Sequence, residues 1–448
     1  MLLLALMTMI GALTPRPLST ETPQPDHWNR LADRQFIVSA PRGSGIARYF
    51  GNASLEGDPS AQRAVIIVHG VLRDADYYFD TGMRVIANAG ARDTFLIAPQ
   101  FLGPSDLKGP ELRAQTLRWS DDWPGGADAI APAPISTYDV FDAMIVRLSD
   151  RARFPRLREI VLIGHSAGGQ IVQRYAAAGK APKTNGRRRV PVHFIVSNPS
   201  SYFYFDDTRP APQKNCPDFN HWRYGLKGAP RYVEGSTAAS LETQYVARHV
   251  TYLLGTADTN PNESDLDRSC GGESQGVNRF ERGKNYIAYI KARHPGGTAQ
   301  DYAFVRGVGH DNRHMFTSAC GIAVIFGRSE ASCAAHGAIT SQSASSTLKA
   351  ARRAHCATPY KDGTMTYGVA PEYPKNLRNK GSAIVMVRFT ISPRGSVQNP
   401  KVLQSSGNHE IDNAAIVAVE KSRFSPKIVD CKPVPSTYSF RADFDLGQ

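Results

Sequence analysis

Several features that would settle the class of this chain at once are missing. Its six cysteines contain no C-x-x-C pair, so the paired-ligand spacing of a structural zinc site is absent. The apolar N-terminal run, MLLLALMTMIGAL, falls short of the ~20 residues that a membrane-spanning helix needs. No internal repeat is visible, which excludes solenoid and propeller arrays. Basic residues are numerous, but no aromatic-interleaved basic patch accompanies them, so a nucleic-acid partner is not expected. The acidic stretch NESDLD (262–267) lacks the glycine and the spacing of a calcium loop and reads as a solvated loop.

What is present describes a globular protein of more than one domain. The chain has 448 residues, 41% apolar and 21% charged, with 38 Gly and 30 Pro. That length predicts two or three domains, and the apolar content is enough for full cores. The formal net charge of +13 is spread along the chain: residues 349–448 carry 15 Lys/Arg against 8 Asp/Glu. Its clearest basic run, Arg187-Arg188-Arg189, sits in a surface-like stretch. Such a balance suits a protein working near anionic membranes or wall polymers.

The N-terminal apolar run fits the h-region of a secretory signal, although no Lys or Arg precedes it and no A-x-A site follows. Residues 1–33 therefore read as a signal-like segment and leader, with an uncleaved anchor as the alternative. In an exported chain an even number of cysteines points to disulfides. Chain neighbourhood suggests Cys216–Cys270, Cys320–Cys333 and Cys356–Cys431 out of 15 possible connectivities, with free buried thiols as the alternative.

Strand-like runs recur from residue 34 onward: RQFIVSA, ARYFGNA, AVIIVHG (64–70), TFLIAPQF (94–101), EIVLIGHS (159–166), VHFIVSNP (192–199), HVTYLLGTAD (249–258) and YAFVRGVGHD (302–311). Several are continuous Val/Ile/Leu runs, as expected for strands buried on both faces. DVFDAMIVRLSDRA and GGQIVQRYAAAG between them are amphipathic at helical spacing. The alternation predicts an α/β domain over 34–333 with a doubly wound, mostly parallel sheet. Residues 334–360 are small and polar and read as a linker. A second domain, 361–448, has alternating strands at 382–397 and 436–446. They flank a helix, IDNAAIVAVEKS, for which Asp412 is a candidate N-cap.

The stretch VLIGHSAGG carries the candidate chemistry. Gly164-His165-Ser166-Ala167-Gly168 follows a strand and precedes a helix. A serine hydroxyl needs a neighbouring base and an exposed position to act as a nucleophile. A sharp strand-to-helix turn lifts Oγ clear of the sheet, and the flanking glycines remove Cβ atoms that would collide. The following helix aims its first N–H groups, including that of Ala167, at a developing oxyanion. His69-Gly70 ends an earlier strand, which makes the Val71 N–H a candidate second oxyanion donor, with Leu72 next. The His69 side chain reads as a structural support for that loop.

Chain order then supplies Asp258 after an apolar strand and His310 in a Gly-rich loop. Ser166, Asp258 and His310 form a candidate nucleophile, orienting acid and base. His314 is the rival base. Asp265 and Asp267 read as loop acids, and Asp74 and Asp76 as rim or cap residues. No metal or organic cofactor is expected.

With HG at 69–70, GHSAG at 164–168, GTAD at 255–258 and GVGHD at 307–311, the first domain resembles the α/β-hydrolase superfamily. The resemblance implies a serine hydrolase acting on a small-molecule ester or amide, with an esterase expected and an amidase or peptidase as alternative. A non-catalytic binding scaffold is the reading from another class. The insertion LRWSDDWPGGAD (117–128) offers Trp119 and Trp123 as candidate pocket walls. SNPSSYFYFDD (197–207) offers Tyr202 and the start of a cap.

PEYPKNLRNKG (371–381), VRFTISPRGSV (387–397), KVLQSSGNHEIDNAAIVAV (401–419) and RFSP (423–426) resemble the C-terminal domain of the TonB family of periplasmic energy transducers. That resemblance implies a small α+β domain with a three-stranded antiparallel sheet and one helix. It also implies a periplasmic location and docking to an outer-membrane receptor by strand addition. The family's membrane helix and long Pro/Lys-rich spacer are not seen before it, so the expected role is docking rather than energy transduction.

Overall fold

The computed structural model describes residues 30–339 except 105, 108–109, 182–189, 213 and 264, and residues 360–444 except 362, 375–382 and 430. The basic run at Arg187–Arg189 lies outside the described residues.

Eight of the expected runs become strands of one sheet: β1 (Arg34–Ala40), β2 (Gly43–Gly51), β3 (Arg63–Val68), β4 (Thr94–Gln100), β5 (Glu159–His165), β6 (Val192–Ser197), β7 (Val250–Gly255) and β8 (Gln300–Val305). A ninth, β9 (Ala335–Ala338), lies within the stretch read as linker. It pairs antiparallel with β8, so the sheet continues past the expected boundary. Its four residues, AHGA, are half-buried or exposed in alternation, so no apolar run announced it. The strand order is β1-β2-β4-β3-β5-β6-β7-β8-β9. Strands β4-β3-β5-β6-β7-β8 are parallel, while β1, β2 and β9 run antiparallel to their neighbours. This is the α/β-hydrolase arrangement.

Side chains alternate along each parallel strand between two cores, because successive strand residues point to opposite faces. Ile66, Val68, Ile160, Leu162, Phe194 and Leu254 belong to one core. Val65, Ile67, Val161, Ile163, Ile195 and Leu253 belong to the other. Both faces are covered, so a period-2 structure reads as an unbroken apolar run. Helix α1 (Ala75–Ala89) contributes Tyr78, Val85 and Ile86 to the second core. Beyond the short α2 (Pro110–Gln115), α3 (Thr137–Leu148) and α4 (Ala167–Ala178) supply the first. Helix α3 starts at a capping box, with Ser136 and Asp139 each satisfying the other's backbone N–H.

Among the described residues the pairs Cys216–Cys270 and Cys320–Cys333 are disulfides, as chain neighbourhood suggested. The third expected pair involves Cys356, outside the described residues.

The C-terminal domain has short strands β10 (Tyr360–Lys361) and β11 (Thr364–Tyr367), then β12 (Ala383–Ile391) and β13 (Val397–Gln404). After the helix His409–Lys421 come β14 (Arg423–Ser425), β15 (Lys427–Val429), β16 (Lys432–Val434) and β17 (Ser436–Phe444). Among the described residues two antiparallel three-stranded sheets form, β13-β12-β17 with the longer strands and β10-β15-β16 with short ones, and β11 pairs with β14. Val385, Val387, Phe389 and Ile391 of β12 share a core with Ile411, Ala415 and Val419, four residues apart on the helix. The helix is capped by Asn408, whose side chain accepts from the Glu410 and Ile411 N–H groups. Asp412, the expected cap, lies inside the helix and accepts instead from the Ser406 N–H at 2.7 Å.

Candidate active site

Ser166 lies between β5 and α4 at the N-cap position, with φ 59° and ψ −123°. Few non-glycine residues adopt a positive φ, and such strain persists only where surrounding packing enforces it. Here glycines on either side allow the backbones to meet. A Cβ on Gly164 would lie 2.2 Å from the Gly168 carbonyl oxygen, and one on Gly168 would lie 2.4 Å from that of Val68. The Ser166 N–H donates to the Ser197 carbonyl at 3.1 Å, tying the turn to the end of β6. Ser166 is 7% exposed.

His310 follows β8, and Asp258 follows β7. The His310 Nδ1–H donates to Asp258 Oδ2 at 2.8 Å, which leaves Nε2 as the free nitrogen. The His310 ring lies 4.4 Å from that of His165, beside the serine turn. Burial pushes the His165 imidazole well below its usual pKa, so it stays neutral next to His310. One buried side chain missed by the sequence reading links the two loops. Asn198, at φ 42° after β6, accepts from the Gly255 N–H at 2.9 Å and donates to the Gly309 carbonyl at 3.3 Å. Asparagine's tolerance of a positive φ in S-N-P after a strand was the available signal.

The loop after β3 borders the serine from the other side. A Cβ on Gly70 would come within 3.8 Å of Ser166 Cβ, so the backbone leading to Val71 runs alongside the turn. His69 is fully buried. Its Nδ1–H donates to the Gly70 carbonyl at 2.8 Å, and its Nε2 accepts the Phe101 N–H at 3.0 Å. Burial lowers its pKa to about 4, which keeps it neutral and able to do both. Ala167 is the first residue of α4.

His314 stands apart from this cluster. Its Nδ1 contacts Asp311 Oδ2 at 2.9 Å, and its side chain is 74% exposed. Asp267 accepts from the Tyr224 hydroxyl at 2.7 Å, and Asp76 from the Arg30 N–H at 3.0 Å. Asp74 precedes α1 without a side-chain cap bond. Burial raises its pKa to about 7.

The aromatic residues expected to line a pocket are inside the core instead. Trp119 donates its indole N–H to the Ile135 carbonyl at 3.0 Å and meets the Phe101 ring at 5.4 Å. Trp123 stacks on Phe101 at 5.2 Å and meets the His69 ring at 4.7 Å. Tyr202 stacks on Tyr286 at 4.6 Å. All three are 2% exposed or less. The stretch that begins at Tyr202 is itself bound into the core. Gln275 binds both main-chain groups of that residue, and Gln173 and the Tyr289 hydroxyl take the N–H groups of Phe203 and Phe205. Those bonds staple the stretch to the helices beneath it.

Asp258, Glu263 and His310 offer ligand atoms that lie within 4.8 Å of one another. The fully buried Arg279 guanidinium already sits against both carboxylates, with Nη1 bonded to Glu263 Oε2 and 3.8 Å from Asp258 Oδ1. A divalent cation there would face an unscreened like charge, so this cluster does not suit a metal.

Residues 369–446 match the family model described as Gram-negative bacterial TonB protein C-terminal. Protein TonB of Vibrio cholerae serotype O1 is 32% identical over 75 residues, 16% of this chain and 31% of that protein. The chain thus spans about a third of the curated relative that it matches. The solved structures that resemble the larger domain include these three. Poly(aspartic acid) hydrolase-1 from Sphingomonas sp. KT-1 is 22% identical with TM-score 0.46, covering 66% of this chain and 98% of its own. LpqC, a poly(3-hydroxybutyrate) depolymerase from Bordetella parapertussis, is 22% identical with TM-score 0.44, covering 64% and 85%. The siderophore hydrolase EstB from Aspergillus nidulans is 16% identical with TM-score 0.35, covering 70% and 96%. The α/β-hydrolase arrangement of this chain rests on its own strand order and serine turn.

Proposed function

We propose that this protein is a serine hydrolase that cleaves a carboxylic ester through an acyl-enzyme, joined to a TonB-like docking domain. The observation that carries the reading is the hydrogen-bonded Asp258–His310 pair at the strand ends next to a strained Ser166 turn.

In this mechanism the Ser166 oxygen bonds to the acyl carbon while His310 Nε2 takes the hydroxyl proton. The carbonyl electron pair moves onto oxygen, where the N–H groups of Ala167 and Val71 receive it. When the intermediate collapses, the bond to the alcohol oxygen breaks, and that oxygen takes the proton from His310. Water then repeats the sequence, with His310 again holding and returning the proton, and releases the acid. Asp258 fixes the imidazole tautomer and stabilises its cationic form.

The TonB-like domain supports docking to an outer-membrane receptor, with β17 at one edge of its sheet as the docking strand. That domain, together with two disulfides, supports a periplasmic location. Among the described residues no helix is long and apolar enough to cross a membrane.

A fluorophosphonate probe tests the chemistry. Labelling of the full chain that disappears in Ser166→Ala is the expected result, and a folded wild type that stays unlabelled overturns the hydrolase reading. Chromogenic esters set against the matching anilides then separate esterase from amidase.

A further inference from the structure

Asp258 and His310 do not stand alone. Asp258 follows β7, and its carbonyl accepts the Phe280 N–H at 3.0 Å. That bond fixes the first turn of the helix Arg279–Arg293 beside it. The Arg279 side chain, 1% exposed, is held by the Ser200 hydroxyl on Nε at 3.0 Å and by Glu263 on Nη1. Its distance from Asp258 Oδ1 is 3.8 Å, beyond hydrogen-bond length. Glu263 thus makes the closer contact to Nη1, and Asp258 the longer one. The Glu263 side chain is 27% exposed, and its carboxylate lies within 4.8 Å of the Asp258 oxygen and the His310 nitrogen.

We propose that Glu263 and Arg279 are a charge-balancing pair of positioning residues that sets the basicity of His310. This inference rests on the hydrolase reading given above. Two carboxylates facing one imidazole would stabilise its protonated form and leave it a poor base near neutral pH. A lone arginine bonded straight to Asp258 would do the reverse, because it would neutralise the charge that supports the imidazolium. Together the pair contributes no net charge. Asp258 keeps one oxygen for His310, and Arg279 offsets the repulsion between buried Asp258 and half-buried Glu263. The other ionisable groups facing this cluster are His165, held neutral by burial, Asp265, which acts on both members of the pair, Arg282, whose charge acts on Arg279, and Tyr202 beside Asp258. Asp311, next in sequence to His310, is engaged by His314.

The two members are distinguished by the sign of their effect. In Glu263→Gln a negative charge is lost and Arg279 is released toward Asp258, so the His310 pKa falls. In Arg279→Gln a positive charge is lost, so it rises. Each shift is expected to be about one pH unit, and Arg279→Lys stays near wild type.

The experiment follows the acid limb of the fluorophosphonate labelling rate against pH for full-length wild type and the three variants. In parallel, the His310 ring titration is followed by NMR in histidine-labelled protein. Opposite displacements for Glu263→Gln and Arg279→Gln are expected in both measurements. Displacements of the same sign, or titrations of folded variants that coincide with wild type, overturn the proposal. If Arg279→Gln does not fold, a titration of Glu263→Gln that matches wild type overturns it alone. A wild type that never labels removes the hydrolase reading instead, while the NMR titration still decides how the pair acts on His310.

Discussion

Asp258 and His310 are separated by 52 residues in the chain, yet their side chains meet at 2.8 Å. The contact forms because β7 and β8 are parallel neighbours whose carboxyl ends open on the same side of the sheet. Replacing the acid should remove tautomer control without emptying the site. Asp258→Asn is expected to lower kcat by about four orders of magnitude and leave the serine in place. Steady-state kinetics on a chromogenic ester checks this. An activity within tenfold of wild type would separate Asp258 from the chemistry.

Asn198 makes the second prediction. It is 1% exposed and bridges the Gly255 N–H and the Gly309 carbonyl. Asn198→Ala removes the partner of the Gly255 N–H, at a cost of about 1–3 kcal/mol, and one of the two bonds to the Gly309 carbonyl, which keeps the Asp311 N–H at 3.0 Å. The thermal midpoint should fall, and kcat should fall with it, because the His310 loop loses its tie. Calorimetry and kinetics on one preparation test both. A variant that loses stability but keeps full kcat argues that Asn198 only holds the fold.

A third prediction concerns the serine turn. A Cβ on Gly168 would lie 2.4 Å from the Val68 carbonyl oxygen and 2.6 Å from that of His69. Both are main-chain atoms of β3 and its loop, so no side chain can give way. Gly168→Ala should destabilise the domain by about 3 kcal/mol or more and yield little soluble protein. Recovery of a variant that unfolds at the wild-type urea midpoint would show that the strand and helix can move apart.

Acid should weaken this domain through His69. Burial holds its folded pKa at about 4 against a usual value of 6.5. The unfolded chain therefore binds the proton more tightly, and stability falls as pH drops from about 6.5 toward about 4. Below that it levels off, with a total of about 3 kcal/mol. Urea unfolding at pH 7 and pH 5 measures the slope. His69→Gln should be less stable at pH 7 and less steep between the two. An unchanged slope would assign the acid sensitivity to other groups.

Local patterning determined much of this protein before any tertiary contact was known. Apolar runs of five or six residues marked the parallel strands, because a strand buried on both faces has no polar side to show. The turn at Ser166 was legible because its glycines and its strand-then-helix setting are contiguous in the chain. GTAD and GVGHD marked Asp258 and His310 at two strand ends, chain neighbourhood suggested the two disulfides, and the pattern of the C-terminal domain lies within one stretch. What the tertiary structure decided was the direction that long side chains take and the company they keep. Trp119, Trp123 and Tyr202 sit in loops that a sequence places near the serine, yet they turn inward, because their ring area gains more from the core than from an open cleft. Glu263 and Arg279 have no local signature, and Asn198 offers only its place in S-N-P after a strand. They meet the Asp258–His310 pair because the ends of β6, β7 and β8 and the helix Arg279–Arg293 converge there, and only packing between segments distant in sequence brings such charges together.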